Sequence, residues 1–412
     1  MLTYKKQLFN YFYLTVIQLV NIVIPLVLLP ILLNNLGKDT YGLVVFAQTV
    51  CGYFVIFINF GFNISATKDI SQNRNDPKKI TEIVSSVLQI KTLLLLFSFF
   101  ILFILCEFFP ILQENNLLFY FSLSVCIGNI FFPVWYYQGV EKMRYITMFV
   151  TMSKILSAFL IFIFIQDKED YILVPIFYSL GSLVGAIIAM YILLVNEKVR
   201  IEFQKLRVLK IHFKKSISFF ISDFSGVLKD NANILIIGSF VGMSYVALYD
   251  LAAKIVWAFR SLFANANSAF FPMISKSKNP KDSKFIIMLF AILSLFAYIF
   301  LYYFSDFIIK ILSNESMLVI KDFLWIMAFF IITATLSSSI GLFILVTNEK
   351  TKEYLNSMLY AILAYVLMVA VLFVADSISL FNLAIVYNLS VLFELCLRVY
   401  YCRKYNLIKW LI

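Results

Sequence analysis

The sequence predicts an all-α polytopic membrane protein of about twelve transmembrane helices, arranged as two parallel six-helix repeats. Three observations predict this fold class. Hydrophobic residues make up 62% of the 412 positions and charged residues only 14%, a composition too apolar for a soluble domain. Apolar segments long enough to cross a hydrocarbon core about 30 Å thick follow one another along the chain. The second half also matches the first at an offset of 208 residues.

Twelve apolar segments have the length and hydropathy of transmembrane helices. The first, from Leu14 to Leu33, is longer than the apolar h-region of a typical signal peptide, and no small-residue cleavage site follows it. We therefore expect it to remain as a helix and not to be removed. The predicted spans are 11–33, 41–66, 81–106, 117–137, 146–165, 172–195, 216–241, 247–273, 285–304, 323–347, 355–375 and 382–402.

The distribution of Lys and Arg predicts that both termini lie in the cytoplasm, because basic segments are retained on that side of the membrane. In this orientation 25 of the 34 Lys and Arg residues, including Lys409, fall in seven cytoplasmic segments or the adjoining helix ends. The net charge of +11 is therefore explained by the retention of basic segments on the cytoplasmic side. Because these charges are scattered, with no single basic stripe, nucleic acid is not expected as a partner. The bases on the outer side are Lys38, Lys168, Lys310 and Lys321.

The internal repeat is visible in two pairs of sequence segments. "LGKDTYGLVVFAQ" at 36–48 aligns, after a small gap, with "VGMSYVALYDLAAK" at 241–254. "EKMRY" at 141–145 aligns with "EKTKEY" at 349–354. Parallel repeats of this kind are typical of secondary transporters, whose binding site lies between the halves near mid-membrane.

The repeat predicts three parts: an N-terminal six-helix lobe at 1–195, a basic cytoplasmic linker at 196–215 and a C-terminal six-helix lobe at 216–412. The linker sequence, "NEKVRIEFQKLRVLKIHFKK", interleaves bases with apolar residues, which predicts an amphipathic element on the inner membrane surface. The apolar residues are Ile201, Phe203, Leu206, Leu209 and Phe213.

Charged residues inside the predicted spans are the candidates for function. An ionisable group in hydrocarbon costs about 2.5–3.5 kcal/mol even on the mildest scale, so these side chains are expected to face an aqueous cavity. They are Lys91, Lys154, Asp223, Lys229, Asp230, Asp250, Lys254, Arg260 and Glu394.

Two helices carry polar faces. At 100° per residue, Asp250, Lys254, Trp257 and Arg260 share one arc of the eighth helix with Ser261 and Ser268. On the second helix, Tyr41, Gln48, Asn59 and Asn63 form a corresponding polar edge.

Each of these residues also has a structural interpretation. Asn59 and Asn63 either line a lumen or join helices by hydrogen bonds. Asp250 and Lys254 either face the lumen or form an i,i+4 ion pair, and Glu394 could pair with Arg398 in the same way. Lys91 and Lys154 lie two or three turns from the cytoplasmic end, where a lysine can extend its amine to the membrane surface.

The sequence predicts neither metal binding nor a cofactor. His212 is the single histidine, so a catalytic dyad or metal cluster built on histidine is not available. It lies in the basic linker and is predicted to be a solvated loop residue. The five cysteines have no metal-ligand spacing and are interpreted as small packing residues.

Four segments resemble the Wzx-type polysaccharide-unit flippases, O-antigen transporters of the multidrug/oligosaccharidyl-lipid/polysaccharide (MOP) exporter superfamily. The segments are "YGLVVFAQTVCGYF", "NFGFNISATKDISQNRND", "PVWYYQGVEKMRYI" and "LKDNANILIIGSFVGMSYVALYDLAAKI". The resemblance covers most of the chain. It implies a V-shaped bundle of two six-helix lobes, similar to the multidrug and toxin extrusion (MATE) transporters, that alternates access to the two sides of the membrane.

The resemblance also implies a function. The implied cargo is an undecaprenyl-diphosphate-linked oligosaccharide, moved from the cytoplasmic to the outer leaflet of the bacterial inner membrane for O-antigen or capsule assembly. Other polysaccharide assembly proteins are implied partners. The implied cavity residues are Lys91, Lys154, Lys229, Lys254, Arg260, Trp257, Asn59 and Asn63, and Asp223, Asp230 and Asp250 are candidates for ion coupling.

Two other classes of protein remain open. An ion-coupled multidrug antiporter of the same superfamily would prefer organic cations and place acids at mid-membrane without so many bases. A membrane-embedded glycosyltransferase or glycan polymerase would be an enzyme, and the longest outer segment, 305–322, is too small for a catalytic domain. The excess of bases favours an anionic cargo, and the short outer segments favour a protein that is not an enzyme.

Overall fold

The computed structural model describes residues 2–313 and 315–408, none of which forms a β-strand. Predictions that fall on 409–412, such as the cytoplasmic position of Lys409, lie outside the described residues. The chain divides into two compact units, Met1–Leu235 and Ile236–Ile412. The structure therefore has the predicted all-α fold class.

The N-terminal unit contains eight helices and most of a ninth. They are α1 (Leu2–Asn59), α2 (Phe62–Gln72), α3 (Pro77–Phe108), α4 (Pro110–Glu114), α5 (Asn116–Phe131), α6 (Val134–Gly139), α7 (Met143–Phe164), α8 (Leu173–Tyr191) and α9 (Leu206–Phe240). A π-helical segment, Ile192–Asn196, continues α8.

The C-terminal unit begins within α9 and contains five further helices. They are α10 (Met243–Ser277), α11 (Pro280–Leu312), α12 (Lys321–Ile340), α13 (Thr351–Val374) and α14 (Leu380–Lys404). A second π-helical segment, Gly341–Val346, continues α12.

The described helices agree with the predicted membrane spans in most places. Nine of them are long and apolar enough to cross a membrane. Helix α1 contains the predicted span 11–33 and most of the predicted span 41–66, separated at Gly37, where φ is 74° and ψ is 170°; the end of the second span falls in α2. Glycine suits this left-handed position because it has no Cβ. The predicted spans 216–241 and 247–273 fall in α9 and α10, which contain 35 residues each but are too polar to count among the nine.

The backbone adopts the same turn at two positions that the repeat makes equivalent. Glu141 and Glu349, 208 residues apart, have φ values of 60° and 64°. The next amide in each case closes the turn: Lys142 N–H donates to the Tyr137 carbonyl at 2.8 Å, and Lys350 N–H to the Leu345 carbonyl at 2.9 Å. The two turns are therefore alike at positions that the sequence repeat pairs, and the two six-helix lobes stay a prediction.

Helices α3 and α11 also begin alike. Asp76 caps α3 by accepting hydrogen bonds from the backbone N–H groups of Lys78 and Lys79, and a proline follows the cap. Asn279 caps α11 by accepting from the N–H of Lys281, and again a proline follows. Because proline lacks an N–H group and has a helical φ, it favours this first helical position.

A buried ion pair holds α14 against its neighbours in the C-terminal unit. Arg398 is 2% exposed, and its Nη2 lies 2.6 Å from Glu394 Oε1, which confirms the predicted i,i+4 pair. The remaining guanidinium donors reach the Ser357 hydroxyl at 3.1 Å and the Ser337 carbonyl at 2.7 Å. The cation also lies 4.4 Å from the centre of the Tyr354 ring. Arg398 was counted among the cytoplasmic bases, but its partners make it a packing residue.

We expect Arg398→Gln to lower the thermal unfolding midpoint of the detergent-solubilised protein strongly. The substitution leaves the Glu394 carboxylate without its buried partner, and breaking such a pair costs about 3–5 kcal/mol. Arg403→Gln, at an exposed position in the last turn of the same helix, is the matched control. Equal midpoints for the two variants would show that the pair does not stabilise the unit.

Candidate functional site

The N-terminal unit contains a polar cavity of about 340 Å³. This volume is within the usual range for sites that hold small ligands. Four helices contribute to it: α1, α5, α7 and α8. The lining residues are Gln48, Cys51, Gly52, Val55, Ser122, Val125, Asn129, Phe132, Val150, Ser153, Lys154, Ser157, Pro175, Tyr178 and Ser182.

Small residues bring these helices close together. A Cβ on Gly128 of α5 would lie 2.0 Å from Ser182 Oγ of α8, and a Cβ on Gly181 would lie 2.1 Å from Ser157 Oγ of α7. Membrane helices pack through small residues because these allow close approach of the backbones. Ser157 and Ser182, which these glycines approach, also line the cavity.

Among the described residues that line this cavity, Lys154 is the single Lys, Arg, Asp, Glu or His. Its side chain is partly buried, and it forms no ion pair with a described residue. The amides of Gln48 and Asn129, the Tyr178 hydroxyl and several serine hydroxyls surround it. The cavity therefore offers one positive charge and many neutral hydrogen-bonding groups.

Lys91 lies elsewhere in the same unit and has a polar partner. It is 1% exposed, and its Nζ donates to Asn59 Oδ1 at 2.9 Å. The alternative in which Lys91 extends to the membrane surface is therefore wrong, because its amine is held inside between α3 and the end of α1. Asn59 acts in this contact as a link between helices, whereas the side chain of Asn63 is exposed.

The predicted charges of α9 occupy different environments. Lys229 is 7% exposed, and Asp223 and Asp230 are partly buried. Both Lys229 and Asp230 take part in polar or electrostatic interactions. One turn of this helix is tied to α1, because the Tyr53 hydroxyl donates to the Leu228 carbonyl at 3.3 Å.

In the C-terminal unit, α10 carries an ion pair and a stacked arginine. Lys254 Nζ lies 2.5 Å from Asp250 Oδ2, so the i,i+4 pair considered as an alternative is present. Two turns further on, the Arg260 guanidinium lies 4.8 Å from the centre of the Trp257 ring and 5.7 Å from that of Phe330. Its Nε is buried and has no hydrogen-bond partner among the described residues.

The structure brings some predicted residues together and adds others. The predicted polar edge of α1 contributes Gln48 to the cavity, but sequence reasoning missed Asn129, Tyr178 and the serines. The small residues Gly181, Ser182 and Gly185 of α8 could have indicated the serine-lined cavity from the sequence. The same spacing is equally typical of helices that simply pack together.

The prediction for His212 is wrong. It is 5% exposed and belongs to α9, which begins earlier than the predicted span. Its Nδ1 lies 3.6 Å from Asp69 Oδ2 and its Nε2 lies 3.5 Å from Glu82 Oε1. Burial lowers the pKa of His212, although the hydrogen bond to Glu82 and the charge of Asp69 oppose that shift. The residue is buried because α9 packs this face against α2 and α3.

Solved structures with this fold are membrane transporters. An inward-facing multidrug resistance MATE family transporter of the MOP superfamily matches with a TM-score of 0.74 at 14% identity, covering 94% of each chain. The lipid II flippase MurJ in an inward closed conformation also gives a TM-score of 0.74, at 13% identity over 96% of this chain and 87% of its own. This chain therefore shares the fold of these two proteins.

The sequence comparison defines the family. The polysaccharide biosynthesis protein family matches residues 8–278, so this chain is a member of that family. A protein of Escherichia coli (strain K12) described provisionally as an O-antigen transporter is 27% identical over 268 residues. The match covers 65% of each of the two chains, which is slightly less than two thirds of that relative.

Thiol labelling is expected to distinguish the two buried lysine positions. In a background without Cys51, Cys106, Cys126, Cys396 and Cys402, Lys154→Cys should react with a small hydrophilic thiol reagent, because position 154 lines the cavity. Lys91→Cys should react at least about tenfold more slowly than Lys154→Cys, because position 91 is 1% exposed. Equal rates in unfolded protein would control for intrinsic reactivity. A Lys91→Cys rate equal to that of Lys154→Cys in folded protein would contradict this placement.

Proposed function

We propose that this protein is a flippase that moves lipid-linked oligosaccharide units across the bacterial inner membrane by alternating access. The proposed cargo is an undecaprenyl-diphosphate-linked repeat unit, carried from the cytoplasmic to the outer leaflet for O-antigen or capsular polysaccharide assembly. The termini would face the cytoplasm, as the charge distribution predicts. The protein would be a transporter and not an enzyme.

One observation carries this proposal: of the described residues that line the cavity of the N-terminal unit, one is a lysine and none is acidic. A cationic amine without a protein counter-charge is suited to an anionic ligand, and Lys forms charge-assisted hydrogen bonds with phosphate oxygens. The surrounding amides and hydroxyls can exchange hydrogen bonds with the hydroxyl groups of a sugar. The chemistry of the cavity therefore suits both parts of a glycan diphosphate head.

The physical requirements of moving a lipid-linked glycan across a membrane agree with a polar cavity that binds only the head of the cargo. A diphosphate and its glycan cannot enter hydrocarbon unassisted, because each unpaired polar group costs several kcal/mol there. The polyprenyl chain can stay in the lipid throughout. The protein then has to shelter only the polar head, for which a polar cavity within apolar helices is sufficient.

Arg260 and Trp257 are the proposed contribution of the C-terminal unit. The arginine stacks on an aromatic ring, which orients the guanidinium without neutralising it. A planar guanidinium can hold a phosphate with two parallel hydrogen bonds. Lys229 would add positive potential, and Asp223 or Asp230 would carry a coupling ion, whereas Lys254 and Asp250 neutralise each other in their ion pair.

A multidrug antiporter is the second candidate, because the structural match to the MATE transporter is as close as that to the flippase. Such a protein binds organic cations, for which an acidic cavity is suited. The lysine of the N-terminal cavity argues against this candidate, since it would repel a cation. The named relative from Escherichia coli supports the proposal in the same direction.

We expect Lys154→Gln to abolish most surface glycan display in a host that lacks its own copy of the gene. Glutamine keeps hydrogen-bonding capacity and removes the positive charge, so loss of display would identify the charge as the required property. Lys154→Arg should retain partial function because the charge remains. The measurement is surface glycan relative to the amount of protein in the membrane.

Lys281→Gln removes one exposed positive charge outside the cavity and is the matched control. The same variants should be assayed for resistance to cationic drugs. Normal glycan display by Lys154→Gln would refute the proposed role of the lysine, and drug resistance in the wild type would favour the antiporter instead.

We expect Arg260→Ala to impair display while the protein remains folded and inserted. Removal of the guanidinium leaves no acid unpaired, because no described residue forms an ion pair with Arg260. Arg260→Lys should restore function only in part, since the charge is kept and the bidentate geometry is lost. Lys254→Ala should instead reduce the amount of folded protein, because Asp250 would lose its partner at a cost of about 3–5 kcal/mol. Wild-type display by Arg260→Ala would exclude this arginine from the cargo site.

A further inference from the structure

The first turns of α9 present a basic surface that the proposed transport function does not use. Arg207, Lys210 and Lys214 are exposed, and at 100° per residue they share an arc of about 60°. Together with Leu206 and Ile211 they line a shallow depression of about 510 Å³. These five residues are called the α9 basic surface here.

Packing on the opposite side of the helix holds this surface outward. The Ser216 hydroxyl lies 2.6 Å from that of Ser65 in α2. Phe213 stacks on Phe60 with ring centres 4.2 Å apart, and Phe60 also stacks on Phe220 at 4.6 Å. With the contacts of His212 already described, one face of α9 is fully engaged in the N-terminal unit.

The three bases of the surface have no acidic partner. None of them forms an ion pair with a described residue, whereas the neighbouring Lys215 lies 3.4 Å from Asp69. Three cations on one helix face repel one another, because like charges separated by one or two turns are destabilising. An anion from outside the protein would relieve this repulsion.

Exposed apolar side chains flank the basic surface on both sides. In the non-helical segment before α9, Phe203 is 99% exposed and Ile201 is 47% exposed. Further along the same helix face, Ile217 and Ile221 are 37% and 58% exposed. The bases therefore lie where a predicted membrane helix leaves the hydrocarbon, which is the level of the lipid headgroups.

We propose that the α9 basic surface binds the phosphate headgroup of an anionic phospholipid, and that Phe203 inserts among the acyl chains of the same leaflet. A phospholipid supplies both the anion that the bases lack and the apolar medium that Phe203 requires. Clusters of Lys and Arg beside a membrane helix bind anionic lipids in this way. The bound lipid would hold the start of α9 at the membrane surface, independently of any cargo.

The test measures lipid binding to the purified full-length protein in detergent. The thermal unfolding midpoint is followed while phosphatidylglycerol or phosphatidylcholine is added. Each base beside an anionic surface contributes about 1 kcal/mol, so loss of three should weaken apparent phosphatidylglycerol affinity on the order of 100-fold. The test variant combines Arg207→Gln, Lys210→Gln and Lys214→Gln.

The control combines Lys276→Gln, Lys281→Gln and Lys352→Gln, which remove the same charge from exposed positions in the C-terminal unit. It should keep wild-type affinity. Equal midpoints of the two triple variants without lipid would establish that both are folded. Single variants at Lys210 and Lys214 should each lose affinity about fivefold, which provides the same test if the triple variant does not fold.

Three results would overturn the proposal. The first is wild-type phosphatidylglycerol affinity in the test variant. The second is an equal midpoint increase with inorganic phosphate, which would indicate a small-anion site. The third is tighter binding of a polyprenyl diphosphate than of phosphatidylglycerol, lost in the test variant, which would assign the surface to the cargo. Phe203→Ser should weaken phosphatidylglycerol binding, and unchanged binding would exclude insertion of this ring.

Discussion

The compensation of charge inside apolar helices is the constraint on which most of this structure depends. Hydrocarbon offers neither water nor counter-ions, so each ionisable side chain within it needs a partner from the protein. Arg398 meets this requirement most completely, with a carboxylate, a hydroxyl, a carbonyl and an aromatic ring around one guanidinium. Lys91 meets it with Asn59, and Lys254 with Asp250. These contacts join neighbouring helices or turns and leave the side chains little capacity to bind anything else.

The same constraint identifies the residues available for function. No described residue that lines the cavity of Lys154 is acidic, and the Nε of Arg260, whose guanidinium lies over Trp257, has no hydrogen-bond partner among the described residues. Placing a cation in apolar surroundings without a counter-charge costs free energy, and van der Waals packing does not offset that cost. Water or an anionic ligand can offset the cost, which is why such positions mark transport pathways in membrane proteins. Lys91 and Lys154 lie at similar depths in their predicted helices, and they differ because Lys91 has a hydrogen-bond partner whereas Lys154 lines a cavity.

The sequence could predict those features that depend on local pattern. Hydropathy predicted the helices, and i,i+4 spacing offered the pairs of Asp250 with Lys254 and of Glu394 with Arg398 as alternatives, because both properties are contained within one helix. His212 could not be placed in this way. Its burial depends on Asp69 and Glu82, two residues of α2 and α3 that are distant in sequence. The serines of the cavity were missed for a related reason, since serine at a helix interface and serine in a polar cavity have the same spacing.

The sign of the charge in the N-terminal cavity separates two functions that the fold permits equally. Related backbones occur in a multidrug transporter and in a lipid II flippase, so the fold alone does not specify cargo. An acid at position 154 would attract an organic cation, whereas the lysine present there repels one. A diphosphate entering the cavity loses hydration, and this loss is offset only where a positive charge is already in place. In the proposed flippase the diphosphate would in turn stabilise the lysine, so the occupied cavity would satisfy both charges that are otherwise costly within the membrane.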